Sequence, residues 1–141
     1  MSMVKNFMPI SRFESLLRLL DDLYENHERY FSRYKLMNKI FKLPKYPQTL
    51  TPKKSYDFEL HYKDLRIVEV SELGEPSAYS ETLSKDLEKL VKLDVLKKTI
   101  VKEQWGKEKT LMKLDGYEIT KDGNKKGYDI LSELRKENLS F

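Results

Sequence analysis

Apolar residues recur in the first third of the chain at positions 13, 16, 17, 20, 23, 24, 30, 31, 34, 37, 40 and 41. Gaps of three and four dominate. The spacing predicts one apolar stripe on a long helix, or on two helices bent near Asn26-His27. Ser11 with Glu14 fits a capping box at its start. Pro44 closes it, because the residue before a proline avoids helical dihedrals. Residues 43–56 hold three prolines and no helical period, which predicts an extended linker. Beyond it, Leu60, Leu65, Ile67, Val68 and Val70 predict a helix over 58–73 that Gly74 stops. The next helix, capped by Ser80 or Ser77, carries Leu83, Leu87, Leu90 and Val91 on one face. Asp94 takes the place often held by a helix-ending Gly or Asn, and Val95-Leu96 opens a strand. Residues 95–103 and 109–114 form a hairpin around Gln104–Glu108, and Tyr117–Ile119 extends its second arm. Thr120 caps a last helix with Tyr128, Leu131 and Leu134 toward the core. The fold class is α+β, mostly helical.

Composition narrows the functional classes. A chain of 141 residues suits one domain, or one small domain with an extension. No apolar run approaches the roughly 20 residues that a membrane span requires, and the N-terminus lacks the apolar core of a secretion signal. A cytoplasmic protein is expected, and the abundance of Lys, Glu and Tyr suits a thermophile. With no cysteine and only His27 and His61, neither a disulfide nor a metal centre is expected. Asp21, Asp22, Glu25 and Glu28 are spaced as a solvated helix surface, no nucleophile is paired with a base, and there is no glycine-rich phosphate loop. Neither enzymatic activity nor a cofactor is expected.

Charge is unevenly spread. The net charge is +4, yet no acidic residue occurs between Glu28 and Asp57, where Arg29, Arg33, Lys35, Lys39, Lys42, Lys45, Lys53 and Lys54 stand. From Phe58 onward, 16 basic residues face 17 acidic ones, so the positive excess lies in the first half.

Three segments carry a resemblance. They are Leu65-Arg-Ile-Val-Glu-Val-Ser-Glu-Leu-Gly-Glu-Pro-Ser-Ala-Tyr79, Leu87-Glu-Lys-Leu-Val-Lys-Leu-Asp-Val-Leu-Lys97 and Tyr117-Glu-Ile-Thr-Lys-Asp-Gly123. In that order and spacing the chain resembles winged helix-turn-helix domains of PadR-, MarR- and ArsR-type and archaeal regulators. The first segment is similar to the family's opening helix, the second to its recognition helix entering the wing, and the third to the close of the wing. The resemblance implies a helical arm over 1–43, a linker over 44–57 and a winged helix domain over 58–141, with a wing of two or three strands. It also implies a shortened helix-turn-helix, because only a dozen residues separate Gly74 from Leu87. The first helix of that motif normally braces the phosphate backbone and sets the angle of the second.

Carried over by position, the recognition helix turns Ser80, Glu81, Thr82, Lys85, Asp86 and Lys89 away from the core. Lys and Thr there suit phosphates or base edges; the alternative is a solvated face of mixed charge. On the hairpin, Lys97, Lys98, Lys102, Lys107 and Lys109 flank Trp105. This pattern suits a wing lying along phosphates, with Trp105 entering a groove or else folding back onto its own domain. In the first half, Arg29, Arg33, Lys35 and Lys39 interleave with Tyr30, Phe31, Tyr34 and Phe41, a combination suited to backbone neutralisation. The stripe Phe13–Phe41 suits either a homodimer seam or packing across its own domain. The leading expectation is therefore a dimeric protein that holds double-stranded DNA, a transcriptional regulator or chromatin-like factor. Its rivals are a winged helix that docks on a protein assembly, and single-strand or RNA binding through the basic, aromatic arm.

Overall fold

A computed structural model describes residues 8–43 and 56–139. The chain runs α1 (Ile10–Glu25), β1 (Tyr30–Ser32), α2 (Arg33–Phe41), α3 (Phe58–His61), β2 (Arg66–Val70), a 3-10 turn, β3 (Glu75–Tyr79), α4 (Glu81–Lys92), β4 (Leu96–Trp105), β5 (Thr110–Ile119) and α5 (Lys121–Leu139). Most of the expected linker, residues 44–55, lies outside the described residues, and so do Lys45, Lys53 and Lys54.

The single stripe becomes two helices with a short strand between them. The break falls at Asn26-His27, where His27 takes a left-handed conformation (φ 62°). Pro9 precedes the first turn of α1 without a side-chain cap, so Ser11 lies inside the helix and makes no capping box. Ser32 caps α2 by accepting a hydrogen bond from the Lys35 amide at 3.2 Å. The stripe is consumed within the chain: Phe13, Leu16, Leu17, Leu20, Leu23, Leu36, Met37 and Ile40 are all buried. They share one hydrophobic cluster with Leu83, Leu87, Leu90, Val95, Leu131 and Leu134. Residues 10–41 are therefore a large part of the core and no appendage; most of their apolar face packs within the chain, while Tyr30 and Phe41 stay exposed. Each fully buried leucine of this set stabilises the fold by about 1.5–3 kcal/mol relative to an exposed one.

The stretch expected as a helix over 58–73 is mostly a hairpin. Only Phe58–His61 is helical; β2 pairs antiparallel with β3, from Arg66↔Tyr79 to Val70↔Glu75. Ile67, Val68 and Val70 are β-branched, which favours the pleated surface over the helix. Gly74 does sit at a left-handed position (φ 71°), but it closes a 3-10 turn between strands.

The second sheet has the order β1-β5-β4, with β4 and β5 a long antiparallel hairpin from Leu96↔Ile119 to Trp105↔Thr110. β1 pairs on the base of β5, Phe31 opposite Tyr117. Asp94 ends α4 in the left-handed conformation (φ 61°), and Thr120 Oγ1 accepts from the Gly123 amide at 2.9 Å to start α5. Leu131 and Leu134 face the core as expected, whereas Tyr128 is 36% exposed. Among the described residues no helix is long and apolar enough to cross a membrane.

Candidate nucleic-acid interface

Helix α4 is fixed at its start by side chains expected to be free. Ser80 is fully buried: its hydroxyl accepts from the Leu83 amide at 3.0 Å and donates to Asp64 at 2.6 Å. Thr82 donates to the same carboxylate from its amide (3.0 Å) and its hydroxyl (3.1 Å). Burial works against ionisation of Asp64, but these donors outweigh it and hold its carboxyl below the usual range. Ser80 and Thr82 thus anchor the helix and are not disposed to reach a ligand.

Asp86, expected on the outer face, is wholly buried. Arg12 reaches it with two hydrogen bonds (2.7 and 3.0 Å), and the Tyr62 hydroxyl donates a third at 2.7 Å. What α4 leaves exposed is Glu81, Lys85 and Lys92, with Lys89 half-buried. Lys85 lies 3.9 Å from Glu81, and Lys89 lies 3.5 Å from Asp86. Lys98 crosses from β4 to Glu88 at 3.1 Å, where the Tyr117 hydroxyl also donates at 2.8 Å. Burial pushes the Glu88 carboxyl up, yet those two donors lower it overall. The basic residues on this face are largely answered by acids of the same face.

The hairpin divides by strand parity. Val101, Glu103 and Trp105 point inward. Glu103 accepts from the Ser32 amide (2.9 Å), the Ser32 hydroxyl (2.5 Å) and Trp105 Nε1 (3.0 Å). Trp105 is 8% exposed and stands edge-on to Tyr34, with ring centroids 6.5 Å apart. Trp105 therefore folds back onto its own domain, and its indole offers no face to a groove. The Tyr34 hydroxyl in turn donates to Glu72 at 2.5 Å; burial and that carboxylate push its pKa up to about 12. At the tip, the Gly106 amide donates to Glu75 at 3.1 Å, and a Cβ on Gly106 would meet Leu73 O at 3.3 Å. The β2–β3 hairpin thus braces the tip of the β4–β5 hairpin.

The opposite parity carries Lys102 directly across from Lys113, with Ile100 across from Asp115 and Gln104 across from Leu111. Both lysines are exposed and make no ion pair among the described residues, and Ile100 and Leu111 are each 61% exposed. Like charges placed directly opposite in a ladder are destabilising. Lys97, Lys107 and Lys109 are also exposed, Lys109 at a left-handed position in the turn (φ 49°). Lys113 was not among the residues singled out from sequence. The signal for it was the register: a turn over 106–109 sets 102 opposite 113.

Among the described residues of the first half's basic stretch, the charges are put to different uses. Arg29 stacks on Tyr24 with 4.0 Å to the ring centroid, and Arg33 donates to Ser84 Oγ at 3.2 Å. Lys39 pairs with Glu28 at 2.8 Å, while Lys35 is exposed. Of the aromatics, Phe31 is buried, and Tyr30 and Phe41 are 55% and 44% exposed.

Among the described residues no group of three or more His, Asp or Glu is placed to hold a metal ion. Comparison with protein-family models, curated proteins and solved structures finds no match to this chain.

Proposed function

We propose that this chain is a winged helix that holds double-stranded DNA by its phosphate backbone, in the manner of a transcriptional regulator or chromatin-like factor. What carries the reading is the exposed, directly opposed Lys102–Lys113 pair on the outer face of the β4–β5 hairpin, which has no ion-pair partner among the described residues. A duplex supplies the anions that such a pair lacks. The order α1-β1-α2-α4-β4-β5 supports it, with β1 added to the second strand of the wing. On this reading α2 is the first helix of the helix-turn-helix and α4 the second. The apparent shortening before α4 arises because a β2–β3 insertion separates them in sequence. Arg33 to Ser84, and Asn38 to Ser77 Oγ (2.9 Å) and the Ala78 amide (2.9 Å), tie α2 to the α4 end of the insertion. Contact is made by Lys102 and Lys113, with Lys97, Lys107, Lys109, Lys35 and Lys85 as further charges.

Backbone neutralisation makes binding fall with salt, by a slope of about one per lysine engaged. Fluorescence anisotropy on a random-sequence duplex at several salt concentrations tests it. Lys102→Gln with Lys113→Gln should flatten the log–log slope by about two. Binding that is absent at low salt, or a slope that the double substitution leaves unchanged, overturns the proposal. A second reading, docking on a protein, is favoured by Ile100 and Leu111, whose exposed side chains phosphates do not use. Ile100→Ser with Leu111→Ser separates the two, since it should spare the duplex and abolish a protein contact.

A further inference from the structure

A pocket of about 450 Å³ opens between the C-terminal end of α1 and the N-terminal end of α5, away from the wing. Its walls are Asp21, Tyr24 and Glu25 from α1, and Lys121, Asn124, Lys125 and Tyr128 from α5. The volume lies in the range of small-molecule sites. The charges are sorted by wall: two carboxylates on one helix, two ammonium groups on the other. None of the four makes an ion pair among the described residues, although oppositely charged helices line a single cleft. Glu25 at the last position of α1 and Lys121 at the first of α5 also stand against the helix dipoles.

Two further observations belong to the same place. Asn124 is 5% exposed, and neither polar atom of its amide has a hydrogen-bond partner. A buried, unsatisfied donor and acceptor side by side call for a polar companion. Asp21 is held above the usual carboxylate range by partial burial and by the neighbouring Glu25 and Asp22 charges, so this wall has more negative charge than it can settle.

We propose that this cleft binds a small zwitterion of the α-amino acid class. Its ammonium group lies at Asp21 and Glu25, its carboxylate at Lys121 and Lys125, and its side chain between the Tyr24 and Tyr128 rings. A simple anion would meet the carboxylates and a simple cation the lysines. A molecule bearing both charges is the species that answers both walls at once. The site is independent of the DNA-binding reading, and its test contains no nucleic acid.

Isothermal titration calorimetry on the full chain with the common L-α-amino acids tests it, with L-phenylalanine, phenethylamine and 3-phenylpropionate as a matched set. At least one amino acid should bind saturably at millimolar concentrations or below, and its amine and acid counterparts about tenfold more weakly or worse. Asp21→Asn and Lys125→Gln should each weaken binding by about tenfold while leaving the thermal midpoint of the free protein unchanged or raised, since neither charge has an ion-pair partner among the described residues. The proposal is overturned if no amino acid binds, if an amine or acid alone binds equally well, or if both variants bind as the parent does.

Discussion

The buried bridge between Asp86 and Arg12 fixes α4 to α1, and its removal is the sharpest test of how this fold is held. The Asp86 side chain has no exposed surface and that of Arg12 only 16%. Asp86→Ala removes both guanidinium hydrogen bonds and leaves the buried Tyr62 hydroxyl without its acceptor. Breaking a buried pair from one side costs about 3–5 kcal/mol. Arg12 retains some contact with water and lies 5.6 Å from the Tyr62 ring centroid, which places Asp86→Ala toward the lower end. Arg12→Ala should cost more, because the carboxylate it strands is fully sealed and keeps only the Tyr62 hydroxyl and Lys89 at 3.5 Å. Replacing the pair together, as Asp86→Leu with Arg12→Met, should recover part of the loss, since the buried charge pair is gone and only the Tyr62 hydroxyl is left without its acceptor. Urea unfolding followed by circular dichroism reads this directly. Against a total stability of about 5–15 kcal/mol, a loss of 3 kcal/mol moves the midpoint by roughly 1–3 M. A loss below about 1 kcal/mol for Asp86→Ala, or a double variant no better than the singles, would refute the reasoning.

Lys113→Glu turns the like-charged cross-strand pair into an opposite-charged one. It should stabilise the fold by about 0.2–1 kcal/mol while weakening duplex binding and flattening its salt slope, measured by thermal melting and anisotropy on the same samples. Gly116→Ala should destabilise by about 1–3 kcal/mol in urea titrations. Its Cβ would lie 2.7 Å from Phe31 O and 2.7 Å from Val101 Cγ1, and the carbonyl cannot retreat without parting β1 from β5. Asp64 and Glu88 both titrate below their usual values in the folded chain, so their stabilisation is present above about pH 4 and is lost as pH falls through the lower folded values. Asp64→Asn should flatten the acid limb of a stability-against-pH curve, and an unchanged limb would count against this anchoring of α4.

The parts of the fold legible in sequence are those whose cause is local. Asp94 in a left-handed C-terminal position, Thr120 at the start of α5 and the alternation along β4 and β5 each depend on a few neighbours. What period alone could not separate was intrachain burial from a dimer seam: the Phe13–Phe41 stripe looks the same in both, and only the positions of α4 and α5 decide. Gly74 misled for a related reason. A left-handed glycine serves a helix end and a turn between strands equally well, and the β-branched residues before it were the better guide. Pro76, paired opposite Glu69 in a two-stranded hairpin, is tolerated because its missing N–H can face an open edge. At the candidate site, Thr82 and Asp86 were placed on the right helix and on the wrong face, while Ser80, expected both as cap and as contact, serves as the cap. Their partners Asp64, Tyr62 and Arg12 are distant in sequence and leave no trace in the spacing of α4.

The β2–β3 insertion bears on how the wing would work. A two-stranded hairpin standing alone is marginal in water and can relieve repulsion between opposed lysines by fraying. Here the tip is tied by Gly106 to Glu75 and by Trp105 to Tyr34, and the middle by Glu103 to Ser32. Those restraints come from the insertion and from the first half of the chain, and they oppose any splaying of β4 from β5. The repulsion between Lys102 and Lys113 is thereby held in the free protein, and on the proposed reading a phosphate placed between them would release it on binding. Ordering the wing costs little at that moment because it is already ordered, which is the condition under which a small number of charges yields useful affinity. On the proposed reading, the β2–β3 hairpin that separates α2 from α4 in the sequence is also an element that keeps the grip in place.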